Sequence, residues 1–183
     1  MNLAALNLAR TEFDRAFQSM TDLAGTEFFA EIERHWSAFL VSAHRVCTKL
    51  ESASKPCPKA SPWWGRKRHE IRNDPLLSYV WHARNADEHG LHQVTQKHPG
   101  AFTLVPPTPE RPIGEVQVTY PHIYLVDVVD RGVTYPVPNS HGGGPISKAH
   151  PNNGGLLALR FLEECLKEAE QFTTDQKLSS SPP

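Results

Sequence analysis

The 183-residue chain has little cysteine, little methionine and no long apolar run. Its three cysteines, Cys47, Cys57 and Cys165, form no CxxC pair, which argues against a disulfide framework and against a thiolate zinc site. Cys47 and Cys165 fall inside apolar helical patterns and read as small core residues. No stretch approaches the roughly 20 apolar residues that a membrane helix needs. The start, MNLAALNLARTEF, lacks a basic opening followed by a long apolar core, so no secretion signal is expected. Net charge is missing too: the formal value is -1, so any site for a polyanion has to be local. A reducing, cytoplasmic setting fits these absences, with no membrane partner.

What is present is the balance of a globular protein, 39% hydrophobic and 21% charged, with room for one domain and a sizeable core. Ten histidines are many for this length and give the first hint of chemistry. Apolar spacing predicts a first helix over about residues 3 to 22, with Leu6, Phe13, Phe17 and Met20 facing a core. After Gly25, Thr26 can cap a second helix over about 27 to 50. There Phe29, Ile32, Trp36, Phe39, Ala43, Val46 and Leu50 form one stripe. Residues 52 to 65, with three prolines and a glycine, read as a loop.

Asn73-Asp74-Pro75 is a specific helix start, an Asp cap with proline in the first turn. The third helix runs from there to about His89, capped by Gly90, or onward to Val94. β-Branched and aromatic alternation after Gly114, with a turn at Asp130-Arg131-Gly132, predicts a two- or three-stranded antiparallel sheet that can include Phe102 to Val105. SHGGGPISKAHPNNGG reads as a flexible loop with Asn152 or Asn153 capping the last helix. That helix, about 155 to 172, buries Leu159, Leu162, Leu166 and Ala169. The fold expected is therefore mainly α: a four-helix bundle over residues 1–173, with a small antiparallel β insertion at about 101–138 before the last helix. A disordered tail is expected at 174–183.

Functional interest centres on HARNADEHG, residues 82 to 90, where a helix opened by apolar residues turns to charge and imidazole. Arg84 and His89 are five residues apart, about 140° of rotation and about 7.5 Å of rise, too far round to meet on one helix face. Two copies packed about a two-fold axis can bring each Arg84 to the other's His89. RNADEH, residues 84 to 89, resembles the signature of HEPN-domain proteins: Arg, a polar residue, a short spacer and His, late in a helix of a bundle. The positions that match are Arg84, Asn85 and His89; the β insertion has no counterpart in a minimal member of that family.

The resemblance implies a metal-independent endoribonuclease without cofactor, commonly homodimeric, acting on single-stranded RNA. Many members serve in toxin–antitoxin or antiviral defence, so an antitoxin or nucleotidyltransferase partner is expected. The chemistry suits the side chains. His89 can shuttle protons near neutral pH while a ribose 2′-OH attacks the adjacent phosphorus. Arg84 can hold the phosphate and offset charge growing on its oxygens, and Asn85 can donate to phosphate or orient His89.

Other readings stand beside this one. Arg84 and Glu88 are an i,i+4 pair that can simply form a solvated face, contributing about 0.3–0.5 kcal/mol. A non-catalytic module of the same type would keep the motif for phosphate holding or dimerisation. A His-rich metal site can be drawn from His82, His89 and Glu88, though the spacing matches no recognised ligand pattern. WWGRKRHEIR sets Arg66, Lys67, Arg68 and Arg72 beside Trp64, a composition that suits RNA contact as well as a solubilising surface. HGGGP, residues 141 to 145, offers amides that can cradle an anion, but no GxSxG element accompanies it.

Overall fold

The computed structural model describes residues 1–88, 93–110, 113–146 and 150–179, and the side chains of all of these except 115 and 174–179. The described chain is mainly helical, with short antiparallel ladders among the helices. In order come α1 (Leu3–Ala24), α2 (Phe29–Ser54), α3 (Ala60–Asn73) and α4 (Pro75–Glu88). Eight strands follow: β1 (Thr95–His98), β2 (Ala101–Val105), β3 (Glu115–Thr119), β4 (His122–Leu125), β5 (Val128–Asp130), β6 (Val133–Tyr135), β7 (Ser140–His141) and β8 (Gly144–Pro145). The last element is α5 (Pro151–Ser179). Among the described residues no helix is long and apolar enough to cross a membrane.

α1 starts where the Asn2 side chain accepts the Ala5 amide at 3.1 Å. It lies against α2 through Leu6, Ala9, Ala16, Met20 and Leu23, a stripe whose alanines permit close approach. Phe17, expected in that core, is 55% exposed, because the small residues and not the phenylalanine face α2. On α2 the expected stripe is realised: Trp36, Phe39, Val46 and Leu50 are fully buried. Thr26 is not the cap of α2; Phe28 holds that position, and the Thr26 hydroxyl accepts the Phe28 amide one step earlier.

The expected loop at 52 to 65 is a correction. α2 continues to Ser54 and α3 begins at Ala60, giving five described helices instead of four. Pro56 and Pro58 occupy the turn, and Pro62 falls in the first turn of α3, where its missing N–H leaves no bond unmade. Burial of Trp63, Trp64 and Ile71 then holds α3 against its neighbours, outweighing a local sequence that favours irregular backbone.

α4 starts as its sequence dictates: Asp74 Oδ1 accepts the Leu77 amide at 3.0 Å, with Pro75 behind it. Gln93 and Val94 are not helical, so α4 does not extend to Val94; His89 and Gly90 lie outside the described residues. α5 is preceded by His150, whose ring accepts the Asn152 amide, so neither Asn152 nor Asn153 is the cap. Residues 174–179, expected in a disordered tail, belong to α5, and 180–183 lie outside the described residues. Gly155 marks the closest approach of α5 to the α1–α2 pair. A Cβ there would sit against the Met20 side-chain end and 3.3 Å from the Trp36 ring. Gly155→Val is therefore expected to lower stability by about 1–3 kcal/mol through overpacking, read as a lowered midpoint in urea.

The β region lies between α4 and α5, as expected, but runs from Thr95 to Pro145 and forms four separate two-stranded ladders in place of one sheet. β1 pairs with β4, β2 with β3, β5 with β6 and β7 with β8, all antiparallel. The Asp130-Arg131-Gly132 turn is present: Arg131 and Gly132 both have positive φ, 51° and 79°, the two-residue hairpin geometry that matches strand twist. The flexible loop expected at HGGGP is instead the β7–β8 hairpin, closed by Gly142 and Gly143 at φ 57° and 79°. Phe102 and Leu104 on β2 pair with Val118 and Val116 on β3, and this apolar face is exposed, Phe102 to 80%.

Candidate functional site

Helix α4 carries the site, and the β5–β6 hairpin completes it. His82 and Asn85 are three residues apart on α4, hence on one side of the helix. Strand alternation turns Val128 and Asp130 inward from β5, and the tight turn at 131–132 ends the strand there. Asp130 is consequently a buried carboxylate facing α4. Its Oδ2 lies 2.7 Å from His82 Nδ1 and accepts the Asn85 amide nitrogen at 2.8 Å. The carboxylate can only accept, so Nδ1 of His82 carries the proton, and the ring is stacked on Tyr135 of β6 with centroids 3.5 Å apart. Tyr79, one turn before His82, donates to the Val126 carbonyl at 2.8 Å and ties the same face of α4 to the strands.

Arg84 lies beside this pair. Its Nη1 donates to Asn85 Oδ1 at 3.2 Å, and its Nη2 is 2.5 Å from Glu88 Oε2. Its Nε is buried without a partner among the described residues. A chain of contacts therefore runs from His82 through Asp130 and Asn85 to Arg84. Hydrogen bonds from Asn85 and then His82 hold the Asp130 carboxyl below its ordinary range. Burial, with the Arg84 charge adding to it, lowers the pKa of His44 on α2. His89, the third member of the motif, lies outside the described residues.

A second carboxylate is buttressed in the same way. Asp74 caps α4, receives His141 Nδ1 at 3.0 Å and accepts the Gly142 amide at 2.8 Å. The anion held by the HGGGP backbone is thus the chain's own carboxylate. Burial opposes ionisation of Asp74, but the bonds from His141, Gly142 and Leu77 outweigh it and lower its pKa. A depressed folded-state pKa means stability that is present above the unfolded value of 3.8 and lost as pH falls through the folded value. Thermal melts are expected to show an acid limb below about pH 4 that is shallower in Asp74→Asn and Asp130→Asn than in the wild type.

The residues expected to touch RNA divide. They stand on α3, not on a loop. Trp64 is buried, while Arg66, Arg68 and Arg72 are exposed, and Trp64, Arg68 and Arg72 line one cavity. Lys67 points elsewhere: it donates to Glu168 of α5 at 2.9 Å, and Trp63 bonds the same carboxylate. Burial opposes the charge on Lys67, but the Glu168 hydrogen bond outweighs it and raises its pKa. Arg68 reaches Glu51 at 3.5 Å.

Among the described residues no three His, Cys, Asp or Glu side chains converge on a metal position. Of the alternative ligand set, His82 is committed to Asp130 and Glu88 to Arg84, and His89 lies outside the described residues. Cys47, Cys57 and Cys165 are free and buried, and burial pushes the Cys47 thiol up to about 12. Comparison with known proteins finds no matching family model, no matching curated protein and no matching solved structure.

Sequence reasoning missed the role of Asp130 and weighed His82 only as a metal ligand. Two signals were available: the i,i+3 spacing of His82 and Asn85, and an Asp placed by alternation on the buried side of VVD. Neither names the other as its partner, because the contact spans 48 residues.

Proposed function

We propose that the chain is a metal-independent endoribonuclease of HEPN type. It would cleave single-stranded RNA by attack of the ribose 2′-OH, in a bundle-like helical core paired as a homodimer. Arg84 holds the scissile phosphate, Asn85 donates to it or orients the imidazole, and His89 moves the proton. One observation carries this reading: late in α4 a buried carboxylate holds Asn85, whose amide oxygen in turn accepts from Arg84 beside it. A side chain held in place before substrate arrives loses less entropy on binding it, which is what a positioning network supplies to catalysis.

The exposed apolar face of the β2–β3 hairpin supports a pairing of copies, since contiguous patches of this kind mark interaction surfaces. Unpaired cysteines fit a reducing compartment. A toxin or defence effector restrained by an antitoxin or a nucleotidyltransferase is the biological setting that we propose.

One observation favours a second reading, a non-catalytic RNA-binding or dimerisation module. Glu88 already occupies part of the Arg84 guanidinium, so phosphate has to displace a carboxylate. The two readings separate in one assay: purified protein, single-stranded RNA and excess EDTA. The nuclease gives cleaved RNA with 2′,3′-cyclic phosphate ends. The module binds RNA and leaves it whole.

A further inference from the structure

A cavity of about 210 Å³ opens between α2, α3 and α4. Helix periodicity builds its walls. Trp64, Arg68 and Arg72 follow one another at four-residue steps along one face of α3. Ser78 and His82 are four apart on α4, with Trp81 on the same flank, and α2 closes the third side with Glu51. Three helices thus turn one stripe each towards the same space, and the stripes differ in chemistry: a carboxylate and a thiol from α2, an indole, an isoleucine and two guanidiniums from α3, and an indole, a hydroxyl and an imidazole from α4.

The condition of these groups points to a ligand. The Trp64 indole N–H is buried and has no acceptor among the described residues. Arg72 is exposed and has no carboxylate partner among the described residues, whereas Arg68 shares its charge with Glu51. His82 is fixed in tautomer by Asp130 and in orientation by the Tyr135 stack, and its Nε2 has no partner among the described residues. A bare anion would leave both indoles unused, and a purely apolar ligand would leave Arg72 and Ser78 without partners.

We propose that this cavity binds a nucleoside phosphate, with the base against Trp64 and Trp81, the phosphate on Arg72 and Arg68, and polar edges of the ligand at Ser78 and His82. Stacking on indole tolerates any base, and an arginine fork matches phosphate oxygens. Two sources share this chemistry: a free nucleotide, or one residue of an RNA strand. Only the second source rests on the RNA reading above. Either occupant sits one side chain from the Asp130–Asn85–Arg84 chain, since His82 belongs to both the cavity wall and that network.

Two of the chain's four tryptophans line the cavity, so intrinsic fluorescence reports occupancy. AMP, UMP and inorganic phosphate are titrated in EDTA into wild type, Arg72→Glu and His89→Ala. The proposal expects saturable quenching by both nucleotides, with phosphate at least about tenfold weaker. It expects about a tenfold or greater loss of affinity in Arg72→Glu, an exposed position whose change leaves the core alone. His89→Ala keeps wild-type affinity, so a failed nuclease and a failed cavity give different results. A 2′-O-methylated oligoribonucleotide, immune to 2′-OH cleavage, identifies the source. Displacement of AMP assigns the site to an RNA strand, and lack of competition with AMP binding intact assigns it to a free nucleotide. No saturable quenching, equal quenching by phosphate alone, or wild-type affinity in Arg72→Glu would overturn the proposal.

Discussion

Replacing His89 with alanine is expected to lower the rate of RNA cleavage about a thousandfold while leaving the fold intact, the middle of the range for a positioned proton-transfer group. The effect should fall on the chemical step: single-turnover rates drop and RNA affinity stays near wild type, because a proton shuttle contributes little to ground-state binding. Arg84→Ala should behave differently. Loss of a phosphate-holding guanidinium weakens binding and rate together, and Arg84→Lys restores only part, since a point charge cannot reproduce a two-pronged contact. Quench-flow rates beside filter-binding affinities for the three proteins check the split. Wild-type rates in His89→Ala would remove the imidazole from the chemistry.

Asp130→Ala is expected to have the second large effect, this time on both stability and activity. The carboxylate accepts from His82 and from Asn85 in a buried position. Each hydrogen bond to a charged group contributes about 1.5–3 kcal/mol, and both donors are partly exposed and can turn to water, so a total loss of about 2–3 kcal/mol is expected. Chemical denaturation measures it. Activity should fall beyond what the lost stability explains, because Asn85 no longer holds a fixed partner for Arg84. Asp130→Asn separates the two effects. It keeps the shape, and its amide oxygen can accept both bonds that end on Oδ2 but without the charge that strengthens them, so it should recover stability more completely than activity. Equal recovery of both would mean that Asp130 is a structural residue only.

Much of the helical framework was legible from local patterns. The stripe on α2, the Asp74–Pro75 start of α4 and the apolar spacing of α5 each depend on residues within a few turns of one another, and those signals survive without tertiary context. The hairpin turn at Arg131-Gly132 was legible for the same reason: a short run must accept positive φ. α3 was not, because three prolines and a glycine dominate its local signal while the burial of Trp63 and Trp64 that stabilises it comes from other helices. Phe17 failed in the opposite sense. Its spacing fits the stripe, yet the alanines set the approach of α2 and leave the ring outside. At the site, Arg84 and Asn85 could be found from a motif, and the structure sets them in contact. The His82–Asp130 pair could not, since no local pattern joins a helix to a hairpin 48 residues later.

The central claim is that each active centre takes Arg84 from one protomer and His89 from the other. Mixing two inactive proteins, Arg84→Ala and His89→Ala, under conditions that let subunits exchange tests it most directly. Half of the randomly formed dimers then hold one intact centre and one doubly altered centre, so RNA cleavage should return to about a quarter of the wild-type rate. A mixture that stays as inactive as its two components, despite proven subunit exchange, would contradict the shared centre.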